Sequence, residues 1–457
     1  MKHLILGNGP AGVVAAETIR KTDPTCSITL VGAEPEPPYS RMAIPYLLEE
    51  NIDESGTYLR KTEGHFEKLG IELKVGRATG VDPSNKTVQF EDGSTETYDK
   101  LLIATGARPI LPPIPGVDLP NVHTCWTLDD ARHIAALTQK QGAHVVQLGA
   151  GFIGCIIMEA LSLRGTDLTV VELGDRMVPR MMTSEAGGMI KDWVQKKGIN
   201  VVTSTKIERI DLTDADRPAS TESKSFLKSV IEKLTGHEDA PEPAAAYVDA
   251  DEDELTVTLS SGEKIACHAV IISAGVRPNV EFLEGTGIDI TDGIHTDDRM
   301  ETSVPDIFAA GDVVAAPDFF TGKPFFSAIQ PNAVDEARAA ALNMAGRDAR
   351  MHGVLPINVL DTLGLISSSF GQWEGVEGGE SVELSDPERH RYISLQFDGD
   401  VLIGATSIGL TQHVGVVRGL IQGRVALGKW KDVLMKEPLR LSEAYLACAQ
   451  QPGALAG

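Results

Sequence analysis

The feature that most constrains this fold is a glycine fingerprint that occurs twice, Gly7-Asn8-Gly9-Pro10-Ala11-Gly12 and Gly149-Ala150-Gly151-Phe152-Ile153-Gly154. Each copy follows an apolar strand and opens a helical run. The first glycine makes a tight turn, the second lets backbone approach a pyrophosphate, and the third lets helix pack closely on strand. The helix N-terminus then faces the negative charge. Each copy also carries the second half of the signature. The strand Ser27-Ile28-Thr29-Leu30-Val31 is followed by Glu34, and Leu168-Thr169-Val170-Val171 ends in Glu172. An acid at such a strand end accepts hydrogen bonds from ribose hydroxyls and repels a 2′-phosphate, so Glu172 favours NADH over NADPH. A solvated loop carboxylate is the alternative for Glu172.

The two fingerprints head an internal repeat. The first copy runs from Gly7 to Leu101-Leu102-Ile103-Ala104-Thr105-Gly106, and the second from Gly149 to Val270-Ile271-Ile272-Ser273-Ala274-Gly275. The spans are 106 minus 7, or 99, and 275 minus 149, or 126, so the second is 27 residues longer. The excess falls at about 211–254, which holds thirteen acids against four Lys or Arg and three prolines. That composition predicts an acidic surface insertion, with a short helix over 225–234. Further on, an apolar run ends in Ala310-Gly311-Asp312, which can set a carboxylate beside a polyhydroxyl chain. From Pro331 onward a helix, then strands, then helices to Ala449 predict an α+β domain.

With 41 basic and 65 acidic residues the net charge is −24. That excludes nucleic acid and anionic membranes as expected partners. Five cysteines with no CxxC pair predict a reduced, cytoplasmic protein without a disulfide framework or metal site. The apolar run from Ala143 to Leu163 is broken by Gln147, the glycine turn and Glu159, so no membrane span is expected.

With both fingerprints, Ala104-Thr105-Gly106, Ser273-Ala274-Gly275-Val276-Arg277-Pro278-Asn279 and Ala310-Gly311-Asp312 in this order, the chain resembles the FAD-dependent pyridine-nucleotide oxidoreductases. The resemblance implies an α/β protein with two Rossmann-like dinucleotide-binding domains and a C-terminal α+β interface domain. The FAD domain would comprise 1–116 and 277–328, the NAD domain 117–276, and the dimerisation domain of a homodimer 329–457. Gly7, Gly9, Pro10, Ala11, Gly12, Glu34, Ala104, Thr105, Gly106, Gly311 and Asp312 would hold FAD. Gly149, Gly151, Phe152, Ile153, Gly154, Glu172 and Gly275 would hold NADH. Hydride would pass from the nicotinamide to flavin N5, with the flavin carrying the chemistry.

Where disulfide reductases of this family carry a cysteine pair, this chain reads Pro38-Tyr39-Ser40-Arg41-Met42-Ala43-Ile44-Pro45-Tyr46. Met42 stands at the cysteine of the single-cysteine relatives, and a thioether cannot act as a thiolate. Pro-Tyr-x-Arg resembles the rubredoxin, ferredoxin and nitrite reductase flavoproteins, in which Arg41 would pair with the FAD pyrophosphate. The lysine and glutamate that such relatives set beside the flavin are Tyr46 and Ile156 here. The catalytic residue is left open, with Tyr46 and Glu159 as candidates and a surface or packing role on its helix as the alternative for Glu159. The implied acceptor is a small redox carrier or a partner redox enzyme. The alternatives are an NADH oxidase, a coenzyme A disulfide or persulfide reductase working through another cysteine such as Cys155, and a redox-sensing interaction protein. A basic C-terminal face (Arg418, Arg424, Lys429, Lys431, Lys436 and Arg440) would suit an acidic carrier.

Overall fold

The computed structural model describes residues 1–213 and 255–449. Most of the acidic insertion, including the helix expected over 225–234, lies outside the described residues. Its edges are described: Leu212 and Leu255 pair across the antiparallel strands Ile207–Leu212 and Leu255–Leu259. The insertion therefore leaves and rejoins the fold at opposed positions of one hairpin.

Two compact units are formed. The first comprises 1–110, 126–128 and 276–355, and the second 111–125, 129–275 and 356–457. The first contains a parallel sheet in the order Ile307–Ala309, Lys100–Ile103, Lys2–Leu6, Ser27–Gly32, Ile71–Val75. Its central strands are buried along nearly their whole length, which is why they read as continuous apolar runs, not alternating ones. Helix Pro10–Thr22 packs on the later helix Gln330–Met344. Alanines line this contact region, with Ala15, Ala16, Ala337, Ala340 and Ala341 fully buried in one core. Small side chains there let two helix backbones approach each other. Residues 329–355 thus belong to the first unit.

The second unit repeats the plan. Its parallel sheet runs Asn200–Val202, Asp167–Val171, His144–Leu148, Ala269–Ile272, Val122–Thr124. The central three strands and their register match those of the first sheet. The fifth strand differs in origin: Ile307–Ala309 comes after the first copy, whereas Val122–Thr124 comes before the second. This unit also carries a five-stranded antiparallel sheet built from residues 357–408, followed by helices Val414–Gln422, Lys429–Leu434 and Leu441–Cys448. The apolar run Ala143 to Leu163 is a strand, the glycine turn and helix Phe152–Leu163. Among the described residues, no helix is long and apolar enough to cross a membrane.

The glycines of the first turn have separable duties. Gly7 has φ +109°, and a Cβ there would overlap the carbonyl of Ala104 on the neighbouring strand end. A Cβ on Gly12 would overlap the carbonyl oxygen of Gly7, so helix and turn touch through bare backbone. A Cβ on Gly9 would meet nothing within 4 Å. Gly12→Ala is therefore expected to lower unfolding stability by about 2–3 kcal/mol through overpacking. Gly9→Ala should stay within about 0.5 kcal/mol of the parent. Denaturant titrations of the two variants check this; equal losses would refute the division.

Candidate functional site

The first fingerprint is a cradle of backbone donors. The Gly7 N–H donates to Val31 O at 2.8 Å, which fixes the turn over the sheet. Gly9 is the N-cap of helix Pro10–Thr22 and offers no capping side chain, and the first turn contains no acid. The first N–H groups of a helix lack partners within it, so this end is left for an anion. Gly311, at φ +84°, lies beside that helix: a Cβ on it would come 3.2 Å from the Ala11 Cβ and 3.6 Å from the Ala333 Cβ. The chain thus brings Gly311-Asp312 to the N-terminal turns of two helices at once. The Ala104-Thr105-Gly106 turn is tied to the Arg277-Pro278-Asn279 segment by Thr105 Oγ1 donating to Asn279 O (3.0 Å) and Asn279 Nδ2 donating to Thr105 O (2.9 Å).

Two carboxyls here are shifted by burial. Desolvation raises Asp312 to about 6, with the Arg41 charge acting against it. Glu336, on helix Gln330–Met344, is 3 % exposed and accepts the Gly311 N–H at 2.8 Å. Burial pushes its carboxyl up to about 8, and the nearby Asp312 adds to the rise. Glu336 is therefore largely a neutral acid at pH 7.

Glu34 and Arg41 come together with two residues that the sequence reading did not assign. Arg41 Nη2 binds Glu34 Oε1 at 2.6 Å, Tyr39 OH donates to Glu34 Oε2 at 2.6 Å, and Arg41 Nη1 donates to the Trp126 carbonyl at 2.6 Å. The guanidinium also lies over the Tyr39 and Trp126 rings, 5.5 and 5.6 Å from their centroids. Arg41 thus has a fixed direction while keeping donors free to meet phosphate. Tyr39 sits inside the quoted Pro-Tyr-x-Arg motif, but Trp126 lies 85 residues from Arg41 and acts through its backbone oxygen, so no sequence signal marks it.

The second fingerprint repeats the cradle. The Gly149 N–H donates to Val171 O at 2.8 Å, and Gly151 caps helix Phe152–Leu163 without a side-chain bond or an acid in the first turn. Glu172 follows its strand directly and is 8 % exposed. Its Oε2 accepts the Ala150 N–H at 2.6 Å and its Oε1 the Gly174 N–H at 2.7 Å. These bonds hold the carboxylate against the fingerprint loop, so Glu172 is not a solvated loop acid. Gln147 and Ser273 bond to the carbonyls beneath the same loop. A polar residue in the otherwise apolar strand His144–Leu148 was the available signal for Gln147.

Among the candidate catalytic positions, Tyr46 and Met42 are exposed, and Glu159 and Ile156 are half-buried on helix Phe152–Leu163. The thiols are unsuited to catalysis. All five cysteines are free and buried. Burial holds the Cys155 thiol up at about 12 and raises those of Cys26, Cys125 and Cys448. His413 is buried, and burial lowers its pKa. On the C-terminal face Lys431 pairs with Glu380, and Arg440 with Glu437 and Glu443, which offsets part of the expected positive charge. His3, Asp23 and Cys26 form a compact group of donor atoms at the other end of the first strand. The Arg20 guanidinium, 3.8 Å from Cys26 Sγ, already supplies the cation there.

Two uncapped helix ends over glycine turns, each with an acid at the neighbouring strand end, make a pair of dinucleotide sites. The family model for pyridine nucleotide-disulphide oxidoreductases matches residues 1–229 and 240–341. The chain belongs to this family. It is 28 % identical over 450 residues, 98 % of this chain and 97 % of the other, to the NADH-dependent phenylglyoxylate dehydrogenase subunit epsilon of Aromatoleum evansii. It is 31 % identical over 363 residues, 78 % of this chain and 72 % of the other, to the NADH oxidase of Methanocaldococcus jannaschii. Among solved structures, the ferredoxin reductase for the CYP199A2 system of Rhodopseudomonas palustris superposes with a TM-score of 0.79 at 25 % identity, covering 97 % of this chain and 99 % of that one. The family's flavin is FAD, and the first cradle fits it: an open Gly9, an uncapped helix end, a directed Arg41 and Asp312 at the second helix end. The second cradle fits the nicotinamide dinucleotide.

Two outcomes follow from the charges and thiols of the site. Because the Glu336 pKa rises from its unfolded value near 4.5 to about 8, the unfolded state ionises first, and stability should fall as pH rises between these values. Glu336→Gln keeps an acceptor for the Gly311 N–H and should flatten that slope, gaining on the order of a few kcal/mol at pH 8 in denaturant titrations. Anaerobic titration of the flavoprotein should take up two electrons per FAD, with no thiolate charge-transfer band, because no cysteine is reachable. Uptake of four electrons would revive a dithiol or thiol route.

Proposed function

We propose that this chain is an NADH-dependent FAD oxidoreductase that exchanges electrons with a protein partner, either a small redox carrier or a partner redox enzyme, without a protein thiol in the path. The observation that carries the reading is the pairing of two glycine-turn cradles with five buried cysteines and Met42 at the redox-cysteine position. Similarity over nearly the full length of a dehydrogenase subunit favours a partner enzyme over a free carrier. The FAD residues are those of the first cradle, Gly7 to Gly12, Glu34, Arg41, Ala104 to Gly106, Gly311 and Asp312. The NADH residues are Gly149, Gly151 to Gly154, Glu172 and Gly275. FAD, when bound, supplies the hydride and electron chemistry.

The chain's own residues supply binding, direction and charge. Arg41 presents a guanidinium held by Glu34 and the Trp126 carbonyl, suited to a pyrophosphate. Glu336 fixes the Gly311 N–H and with it the backbone that carries Asp312. Glu172, held between two backbone N–H groups, offers its remaining lone pairs to ribose hydroxyls and repels a 2′-phosphate. A cytoplasmic setting agrees with five free cysteines, and a homodimer through the C-terminal domain belongs to the same reading. Oxygen as acceptor is the second reading, favoured by the similarity to an NADH oxidase.

Stopped-flow mixing tests the assignment. NADH should bleach the flavin about tenfold faster than NADPH at equal concentration, the effect of roughly 1.4 kcal/mol of like-charge contact. Steady-state turnover with a one-electron dye should far outrun oxygen consumption. Equal rates with both coenzymes would overturn the role of Glu172. Oxygen consumption as fast as dye reduction would make the protein an oxidase, and arrest after one equivalent of NADH would make it a sensor.

A further inference from the structure

The two fingerprints are alike in backbone but not in what lies beneath them. In both, the first glycine N–H bonds to the neighbouring strand, Gly7 to Val31 O and Gly149 to Val171 O. In both, the residue after the strand on the other side (Lys100–Ile103 or Ala269–Ile272) donates its N–H to the residue before that glycine, Ala104 to Leu6 O and Ser273 to Leu148 O. The superposed positions under the turn are Ile5 and Ala104 in the first copy, Gln147 and Ser273 in the second. Ile5 and Ala104 have nothing to donate. Gln147 Nε2 donates to Gly149 O at 2.9 Å and to Gly154 O at 2.8 Å, and Ser273 Oγ donates to Gly149 O at 3.0 Å and Leu148 O at 2.9 Å.

The Gly149–Ala150 peptide is therefore held at both ends. Gln147 and Ser273 grip its carbonyl, and Glu172 Oε2 accepts its N–H at 2.6 Å. Gln147 is fully buried, and its Oε1 has no partner. An apolar side chain, like Ile5 in the first copy, would bring no unpartnered acceptor of its own to the position. Stability alone does not account for a glutamine there, and its two bonds point to the loop.

Resting on the reading that NADH occupies the second cradle, we propose that Gln147 and Ser273 are positioning residues that keep this nucleotide loop, and the Glu172 carboxylate bound to it, in the receptive shape while the site is empty. FAD is a resident group, so a loop that always carries its ligand needs no such support. NADH must arrive and NAD⁺ must leave in every turnover, so the second loop is empty for part of each cycle. A loop already ordered spends none of the binding energy on ordering. The two polar residues occur together in the copy that exchanges its ligand and are both apolar in the copy that does not.

Replacing them with the first copy's residues tests this in the FAD-loaded protein: Gln147→Ile with Ser273→Ala, and each alone. NAD⁺ titrated calorimetrically should bind the double variant about tenfold more weakly, and the KM for NADH should rise by a similar factor. The loss should fall on KM, with flavin reduction at saturating NADH changed by less than about twofold. The ligand-free melting temperature should change little, because the donors lost to the Gly149 carbonyl are offset by removal of the unpartnered Gln147 Oε1. Amide exchange across residues 148–155 should quicken without nucleotide and return to the parent rate under saturating NAD⁺. An unchanged NAD⁺ affinity, or an affinity loss matched by a lowered melting temperature, would overturn the proposal. Glu172→Gln, measured in parallel, separates the two layers. If it leaves the preference for NADH over NADPH intact, the assignment of NADH to this cradle fails and the proposal with it. If it alters that preference while the Gln147 and Ser273 variants bind NAD⁺ normally, only the positioning role fails.

Discussion

The structure depends on one close approach made twice: a helix begins so near the end of its strand that only hydrogen fits between them. At Gly12 a single methyl group would occupy the space of the Gly7 carbonyl, and at Gly154 it would press on the carbonyl of Gly149. That closeness aims the unpaired N–H groups of each helix at the space above the strand ends. The acids Glu34 and Glu172, the Ala104-Thr105-Gly106 turn and the Gly311-Asp312 end are all arranged around those two points. Specificity is then a matter of what lines each point, and electrostatics does most of the lining.

The first point is lined by a compensated set of charges. Arg41 is countered by Glu34 and sits over two aromatic rings, while Asp312 and Glu336 lie where burial resists their ionisation. The acids nearest the second helix end hold protons more readily than exposed acids do, which lessens the repulsion an entering anion would meet. The second point has no cation of that kind in its bonded network. What lines it is backbone N–H groups and one directed carboxylate.

Much of this was legible in the sequence because it follows from backbone geometry. Glycine spacing, apolar strands and an acid at a strand end are local signals, and from them the two parallel sheets, the two glycine turns and the place of Glu172 at its strand end could be read. The cysteine reading rested on composition and on Met42, and the buried thiols agree with it. What escaped was long-range or buried. Trp126 meets Arg41 through a carbonyl, which any residue could supply. Glu336 looked like one more acid on an amphipathic helix, and only the fold brings it under Gly311. Gln147 was visible as a polar interruption of a strand, but its meaning appears when the two copies are laid over each other.

The different origins of the two outer strands bear on how the molecule is made. The sheet of the second cradle is complete once Ile272 has emerged, since its outer strand, Val122–Thr124, precedes it. The first sheet must wait for Ile307–Ala309, and its cradle also waits for Asp312 and for helix Gln330–Met344. During synthesis from the N-terminus the unit begun first is therefore finished later, after the second sheet is already able to form. The backbone around Gly311 and Asp312 therefore has all its strand and helix neighbours only after more than three hundred residues have been joined.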